Sequence, residues 1–132
     1  MFDVSTKVDY AMLIIVELAK SDNQEYLSLQ DIADSHDISS NYLSQLAIPL
    51  KKANLIISKE GKSGGYKLAS SPAEITIRDV VEAIEGPLTI VRCMHEDAKC
   101  PAQETCATRP VWHRLKKDIY KLLDEKSIQD IL

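Results

Sequence analysis

The chain has three cysteines, Cys93, Cys100 and Cys106, all within one short stretch. Six residues separate the first pair and five the second. Structural zinc sites usually close a cysteine pair across roughly two to four residues, so zinc is not the natural reading of this spacing. Three thiolates on one irregular segment suit a larger object, an iron–sulfur cluster held through three of its ligand positions. Pro101 stiffens the segment directly after Cys100, and Arg92 and Lys99 supply positive charge that lowers thiol pKa values. Spacing alone leaves a cluster, a zinc site and redox thiols open. For a cysteine-based enzyme the sequence offers no clear base. His95 is near Cys93, but no orienting carboxylate is evident, so no catalytic residue and no small-molecule substrate is expected.

A second set of residues could do recognition chemistry. From Ser28 to Leu50 the chain reads as two short helices joined by a tight turn. Ser28 can cap the first, with Asp31 returning the bond. Leu29, Ile32 and Ala33 then share one face. Ser35-His36-Asp37 is expected to break the helix, and Ile38 to plug the break. Ser39 can cap the second helix, whose Leu43, Leu46 and Leu50 face inward. Ser40, Asn41, Ser44 and Gln45 are left facing out. A helix-turn-helix with such an outer face suits a DNA groove, because short polar side chains allow close approach and an amide such as Gln45 pairs with an adenine edge.

Other elements must position these two sets. A first helix is expected over about Thr6 to Lys20, apolar on more than one side and so packed against two neighbours. Pro49 should bend or loosen the second helix of the pair. Leu55–Lys59 and Tyr66–Ala69 read as strands around the turn Gly61-Lys62-Ser63-Gly64-Gly65, a hairpin placed where the wing of a winged helix belongs. Thr76 and Asp79 form a capping box for a helix with the stripe Ile77, Val80, Val81 and Ile84, stopped by Gly86-Pro87. After the cysteine segment, Thr108 as cap and Pro110 in the first turn start a helix that reaches about Glu125. At ~1.5 Å per residue this rod is about 27 Å long. Its stripe of Val111, Leu115, Ile119, Leu122 and Leu123 exceeds what so small a domain must cover, which predicts a dimerisation helix. The organisation expected is 1–86 as a winged helix-turn-helix DNA-binding domain, 87–107 as a cysteine-containing cluster-binding loop, and 108–132 as dimerisation helix and tail. The fold class is mainly α with a small β-hairpin wing.

Composition narrows the classes. The chain has 132 residues, 45% of them hydrophobic, enough for one core. Its formal net charge is −4, yet Ser39–Ser70 carries five lysines (Lys51, Lys52, Lys59, Lys62, Lys67) against one acid, Glu60. Positive charge therefore sits where double-stranded DNA would need phosphate contacts. The longest apolar run, Ala11 to Val16, is too short to span a membrane. The start Met1-Phe2-Asp3 is unlike a secretory signal, and the cysteine count is odd. Both predict a cytoplasmic protein without disulfides.

Taken together these motifs resemble the Rrf family of winged-helix transcriptional regulators, and the resemblance covers nearly the whole chain. It lies in Thr6-Lys7 with Tyr10-Ala11, LQDIA (29–33), ISSNYLSQL (38–46), LKKANLI (50–56), GGYKLA (64–69) and ITIRDVVEAIEGPL (75–88). The cysteine triad is similar to the cluster loop of the IscR and NsrR branches. The resemblance implies a homodimer on a pseudo-palindromic operator, with Asn41, Tyr42, Ser44 and Gln45 on the recognition helix and a wing over Lys59–Gly65. It also implies a 2Fe–2S or 4Fe–4S cluster with three cysteine ligands and a variable fourth. Asp9 matches the acidic ligand of NsrR proteins, which comes from the partner subunit. His95 and His113 are the other candidates in the chain, and an exogenous ligand or an open position is the remaining alternative.

Three positions depart from the family pattern. Ser44 stands where IscR proteins carry a glutamate that helps choose between operator types. The wing reads Glu60-Gly61 in place of Arg-Gly, so Lys59 or Lys62 must make its backbone contact. Arg109 stands at the position of the IscR ligand histidine and cannot serve as ligand. A CymR-like regulator, controlled by redox thiols or a protein partner without a cluster, is the alternative.

Overall fold

Serine hydroxyls start the first helices. The computed structural model describes residues 3–21, 25–94, 101–102 and 104–132. Helix α1 (Thr6–Lys20) is capped by Ser5, whose oxygen accepts from the Val8 N–H at 3.3 Å. Helix α2 (Leu29–His36) is capped by Ser28 through the Gln30 N–H at 3.1 Å. Helix α3 (Ser40–Lys52) is capped by Ser39 through the Tyr42 N–H at 3.4 Å. Each cap satisfies a donor that the helix itself leaves unpaired. The return bond expected from Asp31 is not made among the described residues.

The break between α2 and α3 is shorter than the sequence suggested. Ser35 and His36 remain helical, Ser35 donating its hydroxyl to the Asp31 carbonyl at 2.8 Å. The helix stops at Asp37, which adopts φ 54° and ψ 48°. This left-handed conformation suits Asp better than most side chains and reverses the chain in one residue. The Ile38 N–H then bonds back to the Ala33 carbonyl at 2.9 Å, and its side chain packs on the core as the expected plug.

Strands β1 (Ile56–Lys59) and β2 (Gly65–Leu68) pair antiparallel, with Ile56 opposite Leu68 and Lys59 opposite Gly65. Each begins within one residue of its expected start. Leu27 adds a third backbone rung, exchanging two 2.8 Å bonds with Tyr66. Gly65 makes this approach possible. It has φ +146°, and a Cβ there would lie 2.5 Å from the Leu27 carbonyl oxygen.

Helix α4 (Ile77–Glu85) has the expected capping box, with Asp79 N–H to Thr76 Oγ1 at 3.1 Å and Thr76 N–H to Asp79 Oδ2 at 2.9 Å. Of its stripe, only Val80 is fully buried. The core joins Ala11, Ile14, Ile15 and Leu18 of α1 to Leu43, Leu46 and Leu50 of α3, with Ile56, Leu68 and Ile75 closing one side.

Helix α5 (Arg109–Glu125) has no buried residue; Val111 and Leu122 are 57% and 64% exposed. It is tied to α4 by polar bonds. Arg78 donates to Asp124 at 2.9 Å and Glu82 at 3.3 Å, and its guanidinium lies 3.9 Å above the Tyr120 ring. The Tyr120 hydroxyl accepts from the Leu88 N–H at 2.7 Å, fixing the start of the cysteine segment. Beyond α5 the chain returns to the core. Ile77 N–H bonds to Lys126 O at 3.0 Å, Ile128 N–H bonds to Ile75 O at 2.8 Å, and Ile128 is fully buried. One expectation is corrected here. Thr108 stands at the N-cap of α5 but makes no side-chain cap, because its backbone is already helical (φ −93°, ψ −13°) where a capping residue is extended; its hydroxyl lies against the Cys106 thiol.

Candidate nucleic-acid interface and cysteine segment

The residues expected to read DNA lie on the outer side of α3. Asn41, Ser44 and Gln45 are exposed and Ser40 is half-buried. Helical periodicity puts them on one face because the inward positions Leu43, Leu46 and Leu50 are held in the core. The Ser44 hydroxyl already donates to the Ser40 carbonyl at 2.9 Å, so towards a ligand it is an acceptor only. Gln45 keeps its whole amide for a base edge. Tyr42 differs from its neighbours. Its half-buried ring packs edge-on against Tyr10, with centroids 5.5 Å apart and planes at 84°, so it supports the helix.

Sequence reading omitted Ile48, which is 60% exposed. Its spacing from Asn41, Ser44 and Gln45 places it on their face, and that spacing was the available signal. An exposed aliphatic group there has the chemistry to meet a thymine methyl. The end of α3 is joined to the hairpin by Lys51, which donates to Ser58 Oγ at 2.7 Å. Lys59 and Lys62 are exposed and line one cleft with Tyr26, Ser28 and Gly64.

The cysteine segment is described only at its two ends. Cys93 lies in a short 3-10 turn, Arg92–Met94, and Cys106 lies just before α5; both are half-buried free thiols. Cys100 and His95 lie outside the described residues. Cys106 Sγ is 3.3 Å from Thr108 Oγ1. That hydroxyl, and then the Thr108 and Arg109 backbone N–H groups at the start of α5, hold the Cys106 thiol below its usual pKa. Thiolate is the ligand form, so this donor fits a metal or cluster.

Asp9 is exposed in the first turn of α1. Among the described residues, no three His, Cys, Asp or Glu side chains gather into a metal-holding group, so one chain does not bring Asp9, Cys93 and Cys106 together as such a set. His113 pairs with Arg109, whose Nε donates to His113 Nε2 at 3.2 Å. One result follows for metal-free protein. Because the folded pKa of Cys106 is lowered, its thiolate fraction at a given pH exceeds that of a free thiol. Its alkylation-rate profile against pH, read by mass spectrometry with iodoacetamide, is expected to lie at lower pH than that of the unfolded chain. Thr108→Val should move it back up; an unmoved profile would show that the hydroxyl does not act on the thiol.

No helix among the described residues is long and apolar enough to cross a membrane. Comparison with known proteins gives one consistent result. The family model described as Rrf2, iron-dependent transcriptional regulator, matches residues 4–132. The HTH-type transcriptional regulator CymR of Bacillus subtilis is 35% identical over 128 residues, covering 97% of this chain and 88% of its own. The IscR of Cereibacter sphaeroides is 34% identical over 137 residues, covering 98% and 86%. The solved structure of B. subtilis CymR, described as the global cysteine regulator, superimposes with a TM-score of 0.79 at 37% identity over 99% of this chain and 96% of that one.

Proposed function

From the premise that the chain belongs to the Rrf2 family of DNA-binding transcriptional regulators, we propose that it is a cytoplasmic homodimer whose operator binding is controlled by an iron–sulfur cluster. Cys93, Cys100 and Cys106 would hold that cluster, and Asp9 of the partner subunit would complete its ligand set. The observation that carries the reading is the Cys106 site, a half-buried thiol kept towards thiolate at the head of α5. When bound, the cluster would supply a centre sensitive to iron supply, oxygen or nitric oxide.

The chain's own residues link that centre to DNA. The cysteine segment leaves α4 at Gly86 and enters α5 at Thr108. Tyr120 holds its first residues, and Arg78 holds Tyr120 and Asp124 to α4. Ordering the segment would therefore fix α5 against α4. If the exposed stripe of α5 pairs with its copy, the same ordering sets the separation of the two α3 helices. A coupling of ~1–3 kcal/mol is the usual size for regulation of this kind. A CymR-like, thiol-controlled regulator is the rival, favoured by the CymR likeness. Anaerobic purification with absorbance, iron and sulfide assays separates the two. Colourless protein that cannot be reconstituted would sink the cluster reading.

The fourth ligand has its own test. Asp9→Ala is expected to leave fold and dimer intact, because Asp9 is exposed, yet to give a spectrally altered and more easily lost cluster. A mixed dimer of one chain with Asp9→Ala and one with Cys93→Ala shows which chain supplies the carboxylate. If it crosses the interface, the only complete triad faces an intact Asp9 and one normal site forms. A wild-type oxygen lifetime for Asp9→Ala alone would leave Asp9 as a first-turn helix acid.

A further inference from the structure

The outer face of the wing has a feature that the DNA-binding residues named above do not include. Ile56 and Leu68 face the core and pair with each other, so the alternate residues Lys59 and Lys67 share the opposite face. Leu27 pairs with Tyr66, so Tyr26, one residue earlier, falls on the same outer face as the two lysines. The Lys67 ammonium lies 4.9 Å from the Tyr26 ring centroid and the Lys59 ammonium 5.7 Å. Both are within the range in which an aromatic face attracts a cation.

Gathering two ammonium groups at one ring costs repulsion unless an anion joins them. Among the described residues, neither Lys59, Lys62 nor Lys67 forms an ion pair. Carboxylates are close at hand: Glu25 and Asp31 line the cleft that holds Tyr26, Lys59 and Lys62, and Glu60 follows Lys59. The lysine cluster is thus left open to an outside anion, beside a hairpin that follows the recognition helix. On a DNA-binding protein the anion available at that place is backbone phosphate.

We propose that Tyr26 is a positioning residue for DNA-backbone binding: its ring holds the Lys59 and Lys67 ammonium groups together, and makes Lys67 a phosphate contact beside Lys59. The proposal rests on the family's DNA binding and on no property of the cysteines. It also accounts for a wing that carries Glu60-Gly61, since cations on the strands take the place of one at the tip.

The test is binding of the full chain to a mixed-sequence DNA duplex across a salt series. Tyr26→Leu keeps apolar cover and removes the π face. It is expected to weaken binding about two- to five-fold, the effect an exposed cation–π contact supports. Tyr26→Phe should restore wild-type affinity, because the hydroxyl takes no part. Lys67→Gln should lower the slope of log affinity against log salt by about 0.9, one phosphate contact. In a Lys59→Gln, Lys67→Gln background, Tyr26→Leu should have no further effect. A folded Tyr26→Leu chain that binds as wild type overturns the proposal, as does a Tyr26→Phe chain as weak as Tyr26→Leu. If Tyr26→Leu does not fold, the Lys67→Gln slope decides, and an unchanged slope is a refutation. Wild-type protein that bound no duplex at low salt would overturn the DNA-binding reading itself, which is a different result from wild-type binding indifferent to Tyr26.

Discussion

Replacing any one of Cys93, Cys100 and Cys106 by Ala is expected to abolish the proposed cluster while leaving the fold intact. The loss should be complete because the chain has no spare thiol, and two remaining thiolates cannot hold what three were needed to bind. Arg109, at the position where IscR proteins have a ligand histidine, stays cationic and cannot substitute. The fold should survive because Cys93 and Cys106 are half-buried and outside the core cluster. Each variant, purified without oxygen, is expected to be colourless, to lack iron and acid-labile sulfide, and to keep the wild-type far-ultraviolet circular dichroism. DNA affinity should then match that of chelated wild-type protein. Variants with wild-type iron and sulfide content would show that the cysteines are not the ligands.

The largest expected stability effect lies far from that segment. Ile128→Ala should destabilise the protein by about 2–5 kcal/mol, the usual range for truncating a fully buried aliphatic side chain. Ile128 is 0% exposed and sits among core residues of α1, α3 and α4. It cannot be replaced by local collapse, because its backbone is pinned to Ile75 and the flanking Thr76 and Ser127 form a bridge. Urea unfolding at one fixed protein concentration measures the change, since the stability of the proposed dimer would depend on concentration. If residues beyond α5 were only a surface tail, the same substitution would change stability by less than about 0.5 kcal/mol.

Both results bear on what joins the parts of the molecule. The C-terminal residues are packed into the core of the DNA-binding unit, so α5 is anchored at its far end as well as through Arg78 and Tyr120. A change in the cysteine segment therefore meets a helix that is held at one end and lies exposed along its apolar stripe. That arrangement suits the transmission between subunits proposed above.

Sequence alone determined the elements of this protein. Periodicity and capping residues placed α1 at Thr6–Lys20, α4 after Thr76 with its capping box, and the hairpin around Gly61–Gly65. They could do so because a capping oxygen, an apolar stripe or a glycine at positive φ acts within a few residues. The inward leucines of α3 were legible for the same reason, and with them the outer face of Asn41, Ser44 and Gln45. Tertiary structure decided what joins residues far apart in the chain. Thr108 looked like a helix cap, but its backbone is helical and its hydroxyl meets Cys106. Tyr42 was expected among the DNA-facing residues of α3, and its ring also packs against Tyr10 of α1. Tyr26 meets Lys59 and Lys67 only because Leu27 pairs with Tyr66, a register that no local pattern encodes. Nothing local singles out Ile128 from Ile131 and Leu132 in the segment after α5, and only the return of the chain past α4 shows that the core needs it. In each case the deciding partner is brought close by packing, and packing is a property of the whole chain.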